Sequence, residues 1–319
     1  MTSLLASAAT PRPSWNVVHD VHQLFSYAFM RHAFVAGTIV AVLAGAVGYF
    51  VVLRQSAFAA HSMSEIGFAG ASGAVAFGFS AVLGLLGMSL AGAVVIGLLG
   101  TRLRGRDAAI GTVLVFSLGL GSYFITRYKG ESASGPFGLL FGEILGISVH
   151  DIWFIGVAAV VTLVALAVIY RPLLFASLDE DVAESRGVPV RGLSVGFLLV
   201  LAVAVTAAVQ VVGVLLIFAL LVTPGAIADR VCRTPARAMA LCVALALLFV
   251  WAGLSVTYYS RFPVGFLIAA FAFVGYLVAR VATGLGQGAA RARHPDAPPP
   301  VNSGRSRGPL GDVSILSPR

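Results

Sequence analysis

The sequence has 319 residues, of which 59% are hydrophobic and only 11% are charged. A soluble domain carries about 25% charged residues, so the composition excludes an ordinary soluble protein and indicates an integral membrane protein. The formal net charge of +8 does not come with the basic, aromatic surface of a nucleic-acid-binding protein, and in a membrane protein it indicates arginines on the cytoplasmic face.

Residues 1–32 are predicted to form an extracytoplasmic segment, with a short amphipathic helix over 15–30 lying at the membrane interface. The transmembrane domain is predicted over 33–282, because apolar runs long enough to cross about 30 Å of hydrocarbon recur there. These runs lie at 33–53, 57–80, 82–100, 108–126, 152–170, 193–210, 211–228, 237–257 and 262–281. Pro224 interrupts the run 211–228, which we predict to be short or broken. The sequence therefore predicts an all-α integral membrane protein with about nine transmembrane segments.

The second apolar run contains an ionisable pair, His61 and Glu65. Counting from Arg54 at roughly 1.5 Å per residue, His61 lies roughly 10 Å and Glu65 roughly 16 Å into the membrane. Residues four apart share a helical face, and an ionisable side chain inside a membrane is a functional-site hypothesis by default. The alternative is structural: the two side chains satisfy each other and a serine on a neighbouring helix.

A polar-flanked stretch over 130–151, too short to cross, is predicted to form a short helix on the outer side. Gly138, Gly142 and Gly146 share one face of it, which indicates tight packing. Glu143 lies within this helix and is a possible metal entrance. Surface solvation of Glu143 is the alternative.

The distribution of basic residues predicts the orientation. One set of alternate connections carries ten arginines: Arg54, Arg102, Arg104, Arg106, Arg171, Arg186, Arg191, Arg230, Arg233 and Arg237. The opposite connections carry three basic residues, which are Arg127, Lys129 and Arg261. This asymmetry places the N-terminus outside the plasma membrane and the C-terminus in the cytoplasm. The Pro-, Gly- and Arg-rich residues 283–319 are predicted to be a disordered cytoplasmic tail.

The longest predicted cytoplasmic connection, about 172–191, contains "LDEDVAESRGVPVRG". Its acidic residues and its turn residue are Asp179, Glu180, Asp181, Glu184 and Gly187. We predict a short helix with Asp179 as N-cap, a turn at Gly187, and an acidic surface on which a partner subunit docks. A solvated connection without a partner is the alternative.

The sequence gives little support for catalysis by this chain. Lys129 is the only lysine and lies in an outer loop, so the chain cannot form the usual phosphate-binding loop with its GxxxxGK[ST] pattern. HExxH is also absent, and the GxSxG match at residues 192–196 lies in an apolar run and not in the strand-turn-helix of a nucleophile elbow. We predict that the chain is not an enzyme, that it carries no cofactor, and that a separate subunit binds any ATP.

Four stretches, in order and spacing, resemble the permeases of ABC importers for zinc, manganese and iron. They are "VVLRQSAFAAHSMSEIGFAGASGAVAFG", "RLRGRDAAIGTVLVFSLGLG", "FGLLFGEILGIS" and "VVGVLLIFALLVTPGAIADRV". The acidic loop is similar to the coupling helices of ABC importer permeases. Where the family motif has aspartate and then histidine four residues later, this chain has His61 and then Glu65.

The resemblance implies a homodimeric or paired permease, two ATP-binding subunits and an extracytoplasmic metal-binding protein. It also implies a type II importer fold related to the permease of the vitamin B12 importer. Imidazole and carboxylate suit Zn²⁺, Mn²⁺ and Fe²⁺ alike, so the transported metal stays open. The alternatives are an importer of a metal chelate or cobalamin, and a membrane scaffold without transport activity.

Overall fold

The computed structural model describes residues 25–99, 103–127, 142, 144–260 and 262–293. These residues form ten α-helices and one 3₁₀ turn. The helices are α1 (Ala28–Leu53), α2 (Ala57–Ala76), α3 (Ala81–Leu99), α4 (Leu103–Arg127), α5 (Val149–Leu178), α6 (Glu180–Ser185), α7 (Val190–Val212), α8 (Val214–Val231), α9 (Pro235–Tyr259) and α10 (Val264–Arg293), and the 3₁₀ turn is Ile144–Gly146. The predicted all-α fold is confirmed.

Within the described ranges, each of the nine predicted segments corresponds to one long helix. Seven of these are long and apolar enough to cross a membrane: α1, α3, α4, α5, α7, α9 and α10. The chain is therefore a multi-pass membrane protein. Helices α2 and α8 do not belong to this group, so nine crossings stay a prediction. In α2, the polar side chains include His61 and Glu65.

Helices α1 and α7 form the interior of the described bundle. In each, 72% of the membrane-spanning stretch is buried, against 28% in α3 and 17% in α4. Helix α1 packs against α5, α7, α8 and α9. Helix α2 packs against α3, α4, α7 and α8, so His61 and Glu65 belong to a helix with protein neighbours on several sides.

At two prolines the helix boundaries differ from the prediction. The helix is interrupted at Gly213, which has a φ of +88° and lies between α7 and α8. Pro224 lies inside α8, and the helix continues through it. Glycine adopts this φ without steric cost, and a proline inside a membrane helix is tolerated when neighbouring helices satisfy the freed backbone groups. For the same reason α5 continues through Pro172 to Leu178, eight residues beyond the predicted end of that segment.

The chain divides into two units, 1–280 and 281–319. Of the second unit the structure describes 281–293, which form the end of α10. The predicted interfacial helix over 15–30 falls mostly outside the described residues. Of the tail predicted to be disordered over 283–319, residues 283–293 instead continue α10, and the rest lies outside the described residues. In the outer stretch over 130–151, Ile144–Gly146 form the 3₁₀ turn and Ser148 caps the start of α5.

Candidate functional site

His61 and Glu65 lie on one face of α2, one helical turn apart. Both residues are half-buried, whereas Ser62 and Ser64 are fully buried. The two serine hydroxyls donate within the helix, Ser62 to the carbonyl oxygen of Phe58 at 2.9 Å and Ser64 to that of His61 at 2.7 Å. The serines therefore satisfy themselves locally, and the imidazole and carboxylate are the polar groups of this face.

The other faces of α2 are packed closely against neighbouring helices. Toward α3, a Cβ atom added at Gly70 would collide with the carbonyl oxygen of Gly84. Toward α4, a Cβ atom added at Gly121 would stand 3.2 Å from the Cα atom of Ala69. Glycine at these positions lets the helices approach each other. These contacts fix the rotation of α2 and so fix the direction in which His61 and Glu65 point.

The face with His61 and Glu65 is only partly covered by the chain itself. The His61 ring packs edge-on against Phe218 of α8, with centroids 5.4 Å apart and an interplanar angle of 68°. Phe58, one turn before His61, is 41% exposed. Phe58, His61 and Glu65 thus form a half-covered strip along α2, which we call the α2 strip.

The Nδ1 atom of His61 is buried and has no hydrogen-bond partner among the described residues. A buried polar atom without a partner costs about 1–3 kcal/mol, and a neutral imidazole nitrogen of this kind can act as a metal ligand. The part of the chain that the structure describes contains no group of three or more His, Cys, Asp and Glu side chains able to hold a metal ion. The α2 strip therefore offers two metal-ligand groups, an imidazole and a carboxylate. The described residues do not complete them into a stable metal site.

Glu143, the possible metal entrance, lies outside the described residues. Its neighbours are closely packed: a Cβ atom added at Gly142 would stand 2.5 Å from the carbonyl carbon of Val212, and Ile144 is 5% exposed. The φ of Gly142 is +75°. Gly142 is closely packed, but its backbone is not helical, so the single helical face predicted for Gly138, Gly142 and Gly146 does not form at this residue. The role of Glu143 stays a prediction.

The acidic connection forms α6, a helix of six residues between α5 and α7. Asp179 is its N-cap, as predicted, because the carboxylate accepts from the backbone N–H of Val182 at 3.0 Å. The turn at Gly187 is also confirmed, with φ of +81°. The carboxylate side chains of this connection are exposed, at Asp179, Glu180, Asp181 and Glu184.

One buried contact anchors α6 to the bundle. Ala183 is fully buried and packs with Ala176 of α5 and Val190 of α7. The helix therefore lies against the two helix ends that flank it and presents its acids outward.

Arg54 holds three helix ends together, and the sequence alone does not indicate this role. Its Nη1 donates to the Ser177 hydroxyl of α5 at 3.3 Å, and its Nη2 donates to the Ser194 hydroxyl of α7 at 2.8 Å. Its guanidinium carbon lies 5.6 Å from the centre of the Phe197 ring. The serines lie 123 and 140 residues further along the chain. In the sequence, Arg54 stands out as a single arginine between two apolar runs, but this position does not identify Ser177 and Ser194 as its partners.

Comparison with known proteins adds family relationships to this geometry. The sequence model described as "ABC 3 transport family" matches residues 26–283. The chain is 32% identical over 215 residues to the manganese transport system membrane protein MntC of Halalkalibacterium halodurans, covering 67% of this chain and 73% of that protein. It is 30% identical over 264 residues to the manganese import system permease protein ScaB of Streptococcus parasanguinis, covering 82% and 93%.

A solved structure is similar over most of the chain. It is PsaBC from Streptococcus pneumoniae in complex with Fab, with a TM-score of 0.73 and 26% sequence identity. The similarity covers 82% of this chain and 95% of that chain. The fold is thus shared along nearly the whole length of the structural neighbour.

Proposed function

The chain belongs to the ABC 3 transport family, and we propose that it is the membrane-spanning permease of an ATP-dependent importer of divalent metal ions. Manganese is the first candidate for the cargo, because the relatives MntC and ScaB are named for manganese transport. Zinc and iron follow from the same ligand chemistry. The observation that carries the proposal is the α2 strip, where His61 and Glu65 face a side of α2 that the chain only half covers.

The cost of placing Glu65 within the membrane favours a functional role. A charged side chain at the centre of a membrane helix costs about 2.5–3.5 kcal/mol on insertion scales. Partial cover by Phe218 does not offset this cost, since a phenyl ring donates no hydrogen bond to a carboxylate. A passing divalent cation would interact favourably with the carboxylate of Glu65 and with the half-buried imidazole of His61. Two ligands suit a transient site, which must bind an ion and then release it.

The same partial cover supports a permease with two membrane subunits. In a bilayer an ionisable strip faces protein or a water-filled cavity and not lipid. A second copy of the chain placed over the α2 strip would supply this cover and would double the number of ligands along the path. We propose a homodimer whose metal pathway runs between the α2 strips, with nine crossings per chain and the fold of the vitamin B12 importer permease.

Energy would come from a separate ATP-binding subunit that docks on α6. Helix α6 is exposed and acidic, and Ala183 anchors it to α5 and α7. A displacement of α6 would therefore be transmitted to these two helices. In this arrangement α6 and the C-terminus lie in the cytoplasm and the N-terminus lies outside. An extracytoplasmic metal-binding protein would deliver the ion on the opposite side, where Glu143 is the candidate entrance.

Metal content of a deletion strain tests the proposal. Cells lacking this chain and grown with a chelator should lose manganese, and added manganese or the intact gene should restore both growth and metal content. Zinc and iron, supplied one at a time, would identify a different cargo. Normal content of all three metals under chelation would contradict metal import. It would leave the chelate importer and the scaffold, which uptake of labelled cobalamin or labelled metal chelate then separates.

A further inference from the structure

Arg54 lies between the start of α2 and the ends of the two helices that flank the acidic helix α6. It ends α1 as its C-cap, two residues before the N-cap of α2. Its guanidinium reaches the hydroxyls of Ser177 and Ser194, which belong to the two helices that flank α6. His61 lies seven residues further along α2. A single side chain thus joins the segment proposed to receive force and the helix proposed to guide the ion.

The turn between α1 and α2 is short and held by backbone hydrogen bonds. Its backbone is held by hydrogen bonds from the N–H of Gln55 to the carbonyl of Val52 at 3.0 Å and from the N–H of Ser56 to the carbonyl of Val51 at 2.8 Å. Gln55 takes the left-handed conformation with φ of +51°. This is the Schellman arrangement at a helix C-terminus. A displacement of Arg54 therefore moves the start of α2 directly.

The other side of the connection is equally short. Ser177 follows Ala176, and Ser194 lies one turn after Val190; these two apolar residues hold Ala183 of α6. The Ser177 hydroxyl donates to the carbonyl oxygen of Leu173 at 2.5 Å, so its oxygen is directed to accept from Arg54. Movement of α6 thus reaches both hydroxyl partners of Arg54 through one layer of side chains.

The surroundings of the guanidinium strengthen the contact. Arg54 is half-buried, and Phe197 beside it is fully buried. The Phe197 ring also packs against the ring of Phe50 in α1, with centroids 6.5 Å apart. A cation over an aromatic face gains stability when water is excluded, and hydrogen bonds from a charged donor are stronger than neutral ones.

From this geometry we propose that Arg54 is a positioning residue that transmits movement of α6 to the α2 strip. The proposal rests on the proposed function, since it assumes that a partner subunit moves α6. Arg54 itself binds neither the ion nor the partner. Loss of its two hydroxyl contacts should leave ATP hydrolysis running while the α2 strip no longer follows α6.

Two variants separate transmission from stability. Arg54→Lys keeps the charge but removes the planar fork that reaches two hydroxyls at once. The double variant Ser177→Ala with Ser194→Ala removes both acceptors and keeps Arg54. The control is Arg171→Lys, which makes the same exchange at an exposed position on α5. Each is prepared as the full chain in complex with its ATP-binding subunit, reconstituted into vesicles, and assayed with the metal-binding protein present on the extracytoplasmic side.

The measured quantity is the amount of manganese imported per ATP hydrolysed. Energetic coupling between sites is typically worth about 5–150-fold, so we expect both test variants to lower this ratio at least about 5-fold. Subunit assembly and thermal stability should stay close to wild type, and the control should keep the wild-type ratio. If Arg54→Lys and the double variant lose transport only in proportion to folded protein, with an unchanged ratio, Arg54 is merely structural and the inference is wrong.

The wild-type complex distinguishes this failure from failure of the proposed function. A wild-type complex that hydrolyses ATP without importing manganese, zinc or iron would refute the permease assignment. A wild-type complex that imports metal, together with test variants at the wild-type ratio, would overturn only the role of Arg54.

Discussion

Glu65 combines a carboxylate with a position in a helix whose other faces are closely packed. Replacing it by glutamine preserves size and some hydrogen bonding but removes the charge that offsets a divalent cation. A unit charge pair about 4 Å apart is worth about 4 kcal/mol at an effective dielectric constant near 20. We therefore expect Glu65→Gln to lower metal uptake at least about 10-fold, with normal membrane insertion. Uptake of radioactive manganese, normalised to protein in the membrane, measures the effect.

The double exchange His61→Glu with Glu65→His is the matched control for this prediction. It restores the aspartate-then-histidine order of ligand types seen in the family motif, with glutamate in the acidic position. If the two residues act as exchangeable ligands, the double variant should transport more metal than either single change. A well-folded double variant as inactive as the singles would show that packing against Phe218 matters more than ligand type.

At the scale of single residues, the sequence identifies candidate functional side chains but not the residues that contact them. His61 and Glu65 stand out because an ionisable residue in an apolar run is rare. The ring of Phe218, which covers His61, lies on a helix that begins far along the chain. The two serine partners of Arg54 are also remote in sequence, so only the packing of helices reveals them.

The helices themselves could be located from apolar runs alone, because a membrane span needs about 20 apolar residues whatever its neighbours. Their ends could not. Proline marks a helix end in a soluble protein, yet α5 and α8 continue through Pro172 and Pro224. The break occurs at Gly213, one of many glycines in the chain. Which glycine adopts a positive φ depends on tertiary packing.

Close packing of α2 and α3 can be tested with two glycines of α3. A Cβ atom added at Gly84 would collide with the carbonyl oxygen of Gly70, whereas one added at Gly87 would meet nothing within 4 Å. Overpacking costs about 1–3 kcal/mol, and alanine is the better helix former by about 1 kcal/mol. We expect Gly84→Ala to lower the melting temperature of the purified protein and Gly87→Ala to leave it unchanged or raise it. Equal melting temperatures would refute the close approach.

On the scale of the whole molecule, the proposed topology places the N-terminus outside and the C-terminus in the cytoplasm. A phosphatase that is active only outside the cytoplasm, fused to the C-terminus, should therefore be inactive, while a fluorescent protein that matures in the cytoplasm should fluoresce at the same position. Fusions truncated after Gln55 and after Phe79 should give opposite signals if α2 crosses. If the N-terminus is outside, an active C-terminal phosphatase would mean an even number of crossings, with α2 or α8 as the helix that does not cross.

The contact between α2 and α3 has a consequence for biosynthesis. Helix α2 is not among the helices apolar enough to cross alone, whereas α3 is. Only residues 77–80 separate the two helices, and Gly70 and Gly84 bring their backbones together. We expect α2 to remain in the translocation channel until α3 has been synthesised. The two helices then enter the bilayer together as a hairpin. Helix α2, which carries the ionisable pair, and the apolar helix α3 would thus insert together as one unit.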